Sequence, residues 1–318
     1  MKLFIQIPCF NEEGTLAQTL RDIPREIPGC DSVELLVIDD GSTDRTVEVA
    51  RQFGVEHIVR LGRNCGLATA FRSGVDYALA HGADIVVNTD GDNQYCGKDI
   101  PELVRPILEK RADLVVGCRP IMDNREFHLA KKLLQLLGSW TLRRISRTMV
   151  RDAASGFRAF SRETCLRIFI HSRFSYCMET LIQAGNSGMK VESVDIRVNP
   201  KTRESRLFKS IFQYIRKSGG TMLGMFILYR PAAFFSLLSV PFWFFSLAIG
   251  LRAIYKVTFS DHAYREFLPS YFMLVCSAVS AIMLCALALI GELLRAQRRL
   301  TEEGLYLQRR RMYDRDGR

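Results

Sequence analysis

Histidine is scarce: there are five in 318 residues, and none is paired at a metal-ligating spacing. That argues against zinc, which takes histidine and cysteine at short, recognisable intervals. Cysteine occurs nine times, an odd number, and no Cys-x-x-Cys is present. The start of the chain lacks a cleavable signal peptide. The thiols are therefore expected to be reduced and their domain cytoplasmic. No Gly-x-Gly-x-x-Gly follows an apolar run, which argues against a dinucleotide-dependent dehydrogenase. Internal repeats and low-complexity tracts are missing too. Hydrophobic residues make up 48% of the chain, too many for a disordered polymer.

What is present over the first two hundred residues is an alternation of two periods. "KLFIQIP", "VELLVIDD", "EHIVRL", "DIVVNTD" and "DLVVG" read as short apolar strands. Helical patterns lie between them at 15–23, 43–53, 67–80 and 99–110. Such alternation predicts an α/β domain with a mostly parallel sheet covered on both faces. Ser42 or Thr43 is a candidate cap for the second helix. Asp99 is one for the fourth, with Pro101 in its first turn. A basic helical stretch is expected over 126–147, followed by a turn at "RDAASGFRAFSRE". "KVESVDIRVN" alternates like a strand whose place in the sheet is open.

After residue 200 the composition shifts. "KTRESRLFKSIFQYIRK" carries six basic residues against Glu204 alone, with Leu207, Phe208, Ile211, Phe212 and Ile215 at helical spacing. A basic amphipathic helix of this kind suits a membrane interface, or packing on the domain before it. Residues 232–251 and 268–291 are uncharged and mostly apolar. Each is long enough to cross a bilayer, which takes about 20 residues. A two-helix transmembrane hairpin is therefore expected, with Pro241 kinking its first arm. The expected organisation is a catalytic domain over 1–200, juxtamembrane helices over 201–230, the hairpin over 231–294 and a basic tail over 295–318. Arg216, Lys217 and Arg230 flank one end; Arg295, Arg298, Arg299, Arg309, Arg310 and Arg311 flank the other. The link carries Arg252, Lys256 and Arg265. This bias places the domain and the tail in the cytoplasm, under the inner membrane. The net charge of +10 is thus read as a lipid-facing excess, with no nucleic-acid partner.

The chemistry concentrates where apolar runs end. In "VVNTDGDNQY", Asp90 and Asp92 bracket Gly91, and Gln94 follows. At roughly 4 Å, two like charges cost about 4 kcal/mol at an effective dielectric near 20. A divalent cation removes that cost. Magnesium or manganese takes oxygen ligands and keeps some positions for substrate phosphates. A polar turn after a strand is the plainer alternative. Two further endings agree with the metal. "IPCFNEEGTL" holds Pro8, Asn11 and Glu12; "VIDDGSTDRT" holds Asp39, Asp40, Gly41 and Ser42. In a parallel sheet these ends share one edge. There acids can accept from a base or ribose, and Gly41 permits close backbone approach.

The segments "IPCFNEE", "VIDDGSTDRT", "NCGLATAFRSG", "NTDGDNQ" and "DAASGFRAFSRE" resemble family-2 glycosyltransferases of the GT-A fold, over residues 3–217. The nearest likeness is to dolichol-phosphate mannose synthases and bacterial polyprenyl-phosphate glycosyltransferases. The resemblance implies a Rossmann-like catalytic domain and inverting sugar transfer from a nucleotide donor with Mg2+ or Mn2+. Uridine is favoured over guanosine, and a homo-oligomer is allowed for. It assigns Pro8, Asn11, Glu12, Asp39 and Asp40 to the nucleotide, and Asp90, Asp92 and Gln94 to the metal. Arg119 is assigned to an acceptor phosphate. Asp152, Ser155, Gly156 and Arg158 fall to a "D-x-x-S-G-F-R" segment below the sugar. Arg203, Ser205 and Arg206 match a diphosphate-closing motif more loosely, with Arg206 where lysine is usual. Lys131, Lys132 and Ser139 align less securely with an acceptor-side basic helix.

A polyprenyl phosphate is already an anion at neutral pH, so positioning matters more than a base. Arg119 and the basic residues from 203 to 209 suit that task. Asp152 is read as orienting a sugar hydroxyl, or as a base if the acceptor is an alcohol. Glu179 reads as a helix-surface acid or a site acid. Trp140 and Trp243 read as packing or interfacial residues, and Arg143, Arg144 and Arg147 as a solvated basic face. The expected activity is loading of a hexose or N-acetylhexosamine onto a polyprenyl phosphate in the lipid bilayer. One alternative is action on another glycolipid or a growing polysaccharide, though no Gln-x-x-Arg-Trp is present. The other is a non-catalytic, membrane-tethered nucleotide-sugar binder.

Overall fold

The computed structural model describes residues 1–120, 143, 146, 148–170, 176–200, 219, 220, 223, 224, 226–259 and 268–315. The expected helix over 126–147, apart from residues 143 and 146, lies outside them, as does most of the stretch 201–225. Strands β1 (Lys2–Cys9), β2 (Ser32–Asp39), β3 (His57–Arg60), β4 (Ile85–Asn88) and β5 (Leu114–Cys118) follow the five apolar runs. Between and after them lie helices α1 (Leu16–Asp22), α2 (Thr46–Gln52), α3 (Leu67–Ala80) and α4 (Ile100–Leu108). Strand β6 (Arg158–Ser161), helices α5 (Arg162–Arg167) and α6 (Tyr176–Asn186), and strand β7 (Val191–Asp195) complete the α/β part. Val, Ile and Leu dominate the central strands because both faces are covered; Leu3, Ile5, Ile7, Leu35, Val37, Val87 and Val115 have no exposed surface.

One sheet runs in the order β3-β2-β1-β4-β6-β5-β7. Strands β1 to β5 and β7 share one direction, and β6 alone runs against β4 and β5. That reversal matters for the site. Cys9 is level with Asp39 and Gln6 with Asn88; Asn88 and Val116 both pair with Arg158. The carboxyl ends of β1, β2, β4 and β5 therefore share an edge with the amino end of β6. "KVESVDIRVN" joins this same sheet as β7, an outer strand beside β5. Just beyond it, Val198 bridges Tyr95, and Asn199 N–H donates to the Gln94 carbonyl at 2.9 Å.

One helix start and one side-chain cap differ from expectation. Helix α2 begins at Thr46 rather than near residue 43, and neither Ser42 nor Thr43 caps it. The Asp44 carboxylate accepts from Thr46 N–H at 3.0 Å and from Glu13 N–H at 3.1 Å, holding 42–45 in a turn. Asp99 does occupy the cap position of α4, but its carboxylate is taken by Arg197 instead of the helix N–H groups.

The chain divides into two compact units: Met1–Arg216 with Glu302–Arg318, and Lys217–Thr301. The second unit contains helix α7 (Pro231–Phe259) and most of α8 (Leu268–Arg315), with mean hydropathies of 1.9 and 2.6 over their most apolar stretches. Both are long and apolar enough to cross a membrane. Their outward faces carry exposed Leu237, Phe244, Phe272 and Leu289. They meet through small residues: Ser246 and Ser277 share a hydrogen bond of 2.6 Å, and Gly291 leaves no room beside Pro231. Helix α7 continues through Pro241 without a break.

From Glu302 onward the residues group with Met1–Arg216. Helix α5 ends with carbonyls that have no partner within the helix. The Arg309 guanidinium supplies one, donating to the carbonyls of Cys165 (3.1 Å), Leu166 (3.4 Å) and Ile168 (3.1 Å). It also pairs with Asp76 of α3 and lies over the Phe169 ring. Arg167 stacks on Tyr306 at 4.0 Å.

Candidate active site

The shared edge collects most of the residues expected there. Its centre is the gap between β1 and β4, where the strand order changes direction. Ligands bind at such points in open α/β sheets. Gly91 makes the closure possible. A methyl group there would lie 3.0 Å from Cys9 Sγ, 3.3 Å from Glu12 Cγ and 3.6 Å from the Pro8 carbonyl oxygen. Pro8, Glu12 and the Asp90–Asp92 turn are thereby packed together. Thr15 Oγ1 ties the two loops, lying 2.9 Å from both Glu12 Oε2 and the Gly91 carbonyl.

Asp90 stands in an unbalanced field. Burial first, then the neighbouring Asp92 carboxylate, push its carboxyl up to about 7; Glu12 adds to the rise and Arg119 opposes it. Among the described residues, the Asp90 side chain accepts no hydrogen bond. Asp92 accepts the Gln94 N–H at 3.0 Å, which bends the loop. The two carboxylates offer hard oxygen donors, with the Gln94 amide two residues on, and burial beside a like charge disfavours the bare Asp90 carboxylate. These residues fit a magnesium or manganese ion.

Arg119 leaves the end of β5 and meets Asp152 in a forked pair. Nε donates to Oδ2 at 2.7 Å and Nη2 to Oδ1 at 3.1 Å. Arg119 is 16% exposed and Asp152 1%. Burial works against the Arg119 charge, but Tyr95 and Asp152 outweigh it and hold the guanidinium protonated more firmly than usual. Asp152 is thus held by Arg119 through both of its carboxylate oxygens.

Several expected ligand residues also hold the local backbone. Asp40 is buried, and its two oxygens accept from Cys65 N–H (2.7 Å) and Gly66 N–H (2.9 Å) at the start of α3. Asp39 accepts from Ser42 N–H at 2.8 Å and lies 3.4 Å from Arg60 Nε. Asn11, at φ 56°, accepts from Thr43 N–H at 2.8 Å. Gly41 (φ 78°) does allow a close backbone approach, but to Arg63 and Asn64 of its own chain.

Arg158 is the clearest correction. It has no exposed surface, and its guanidinium donates to the carbonyls of Ser155, Cys177 and Ala153 and to Thr180 Oγ1, all within 2.9 Å. It cannot reach a substrate; it anchors the 153–155 turn to α6. Ser155 is equally buried, with Oγ accepting from Phe157 N–H at 3.3 Å. Glu179 is buried in α6, so it is not a helix-surface acid. Arg203, Ser205, Arg206, Lys131, Lys132 and Ser139 lie outside the described residues.

The family model for glycosyl transferase family 2 matches residues 4–169. The chain belongs to glycosyl transferase family 2. It is 26% identical over 253 residues to the UDP-N-acetylglucosamine–dolichyl-phosphate N-acetylglucosaminyltransferase of Methanococcus voltae, covering 72% of this chain and 94% of that one. It is 30% identical over 228 residues to the dolichol-phosphate mannosyltransferase of Pyrococcus furiosus, covering 68% and 62%. Among solved structures, glucosyl-3-phosphoglycerate synthase from Mycobacterium tuberculosis, crystallised with Mn2+, UDP and phosphoglyceric acid, superimposes with a TM-score of 0.53 at 21% identity, covering 71% and 77%. The fold is GT-A, and as a family-2 member the protein is a glycosyltransferase. Sequence reasoning missed Asn88, Tyr95 and Tyr176, whose side chains converge on Gly156 beside Asp90. Tyr95 directly follows Gln94, which was the available signal.

Proposed function

We propose that this glycosyltransferase moves a hexose or N-acetylhexosamine from a nucleoside diphosphate to a polyprenyl phosphate, at the cytoplasmic face of a membrane. The observation that carries the reading is the Arg119–Asp152 fork beside Asp90. A guanidinium has five N–H donors. Asp152 takes two from the side chain, which leaves three for an oxyanion and fixes their direction. An acceptor phosphate held there presents an oxygen that attacks the anomeric carbon, and the nucleoside diphosphate departs with the bonding pair. No proton has to leave the attacking oxygen, so the step needs no general base.

Asp90, Asp92 and Gln94 would hold the divalent cation, which supplies positive charge to the departing diphosphate. Glu12 borders that cluster. The apolar faces of α7 and α8 suit an acceptor that stays in the bilayer. Both named relatives act on dolichyl phosphate, which supports the lipid acceptor. One relative's UDP-sugar and the UDP in the M. tuberculosis structure support uridine.

The direct test is an assay of the full chain with undecaprenyl or dolichyl phosphate and a panel of UDP- and GDP-sugars. The expected product is an organic-soluble lipid-linked sugar, lost in EDTA and restored by Mn2+. Water-soluble polymer, or nucleotide-sugar binding without turnover, would overturn the proposal.

The cation also predicts a pH effect. Asp90 binds its proton more tightly in the fold than in the unfolded chain. Metal-free stability from this group is therefore full below the ordinary carboxyl value of about 4 and is lost as pH rises through about 7. Mn2+ is expected to raise the unfolding midpoint strongly at pH 8 and little at pH 5. In EDTA, Asp90→Asn is expected to flatten the fall in midpoint between those values. Differential scanning calorimetry reads both, and equal Mn2+ shifts at the two pH values would count against the assignment.

A further inference from the structure

Among the described residues, none donates a hydrogen bond to the Asp90 carboxylate. The surface it packs against is Gly156. A methyl group on Gly156 would lie 3.3 and 3.4 Å from the two Asp90 oxygens and 2.9 Å from the Tyr176 hydroxyl. The Gly156 peptide groups are gripped from both sides. Their N–H donates to Tyr95 Oη at 3.0 Å. Their carbonyl accepts from Tyr176 Oη at 3.1 Å and from Asn88 Nδ2 at 3.0 Å. Asn88 Nδ2 also lies 2.7 Å from Tyr176 Oη, and Asn88 Oδ1 accepts from Gln6 Nε2 at 2.9 Å.

The two phenols cannot drift. Tyr95 is 3% exposed and stacks on Phe157 at 5.1 Å; Tyr176 is fully buried and stacks on Phe71 at 4.0 Å. Stacked, buried rings fix where their hydroxyls stand. Tyr95 belongs to the loop that carries Asp90 and Asp92, so the clamp closes that loop on itself through Gly156.

We propose that Tyr95 and Tyr176 are positioning residues for the divalent cation, holding Gly156 as the wall that sets the Asp90 carboxylate. The inference rests on the cation reading above. Outer partners of a metal ligand typically affect affinity ten- to a hundredfold. Removing either hydroxyl lets the Gly156 peptide shift, and the carboxylate moves with it.

The test is Mn2+ uptake by the full-length protein with UDP or GDP present, followed by loss of the free-ion electron paramagnetic resonance signal. Tyr95→Phe and Tyr176→Phe keep the stacked rings and lose only the hydroxyls. Each is expected to weaken Mn2+ binding by about tenfold or more. Gly156→Ala, which presses a methyl on Asp90, should do the same. Tyr77→Phe, a substitution at a half-buried tyrosine that bonds His57, should leave uptake at the parent level. Unfolding midpoints in EDTA separate the alternative. A purely structural role lowers the midpoint and leaves the Mn2+ dissociation constant of the folded protein unchanged, which would overturn the proposal. A parent protein that takes up no Mn2+ would overturn the cation reading and this inference together. Parent uptake matched by Tyr95→Phe and Tyr176→Phe would overturn the inference alone.

Discussion

Asp92→Asn is expected to lower sugar transfer about a thousandfold, or about 4 kcal/mol at roughly 1.4 kcal/mol per factor of ten, while the protein still folds. The fold survives because asparagine can keep accepting the Gln94 N–H that Asp92 accepts at 3.0 Å. What is lost is a negative oxygen at the place where Asp90 is already pushed up to about 7 by burial and by its neighbour. The neutral variant should therefore also bring the Asp90 carboxyl down, a change that side-chain carboxyl NMR can follow. Transfer near the parent rate, with Mn2+ still required, would remove Asp92 from the metal site.

The second large effect is at Arg119. Arg119→Met takes away the cation and strands Asp152, which is 1% exposed, without its forked partner. Breaking a buried pair from one side costs about 3–5 kcal/mol, so the single variant is expected to unfold at much lower denaturant. Replacing both, as Arg119→Met with Asp152→Leu, should restore most of that stability, since a buried pair is often no better than apolar residues of similar volume. Lipid-linked product should stay absent from the double variant, while slow hydrolysis of the nucleotide sugar continues. Chemical denaturation and product analysis check the two halves separately. A stable double variant that still glycosylates the lipid would detach the pair from the acceptor.

The sheet was legible because its strands are buried on both faces and therefore read as unbroken apolar runs; β1, β2, β4 and β5 lie where those runs are. Helix α2 was misjudged because Asp44 competes with the backbone for Thr46 N–H, a contact that periodicity does not register. At the site, motif position located the acids but not their partners. Asp40, Ser155 and Arg158 sit in polar motifs and resemble ligands. Yet each is spent inside the fold, on groups that only the β3–α3 loop, the β6 turn and helix α6 bring near. The converse holds for Tyr176 and Asn88. They are 88 residues apart in the chain numbering of their bond and carry no local pattern, so nothing short of the tertiary structure joins them.

The return of residues 302–314 to the α/β unit has a consequence for how the protein is made. Chains emerge from the ribosome amino end first, and domains usually fold in that order. Here the arginine that finishes α5 lies 142 positions after that helix ends, counting from Arg167 to Arg309. Translation must run through both apolar helices before Arg309 exists. The glycosyltransferase half therefore completes its fold only after the lipid-compatible half has been synthesised, and a chain cut short at residue 230 would be missing a piece of its enzyme as well as its helices.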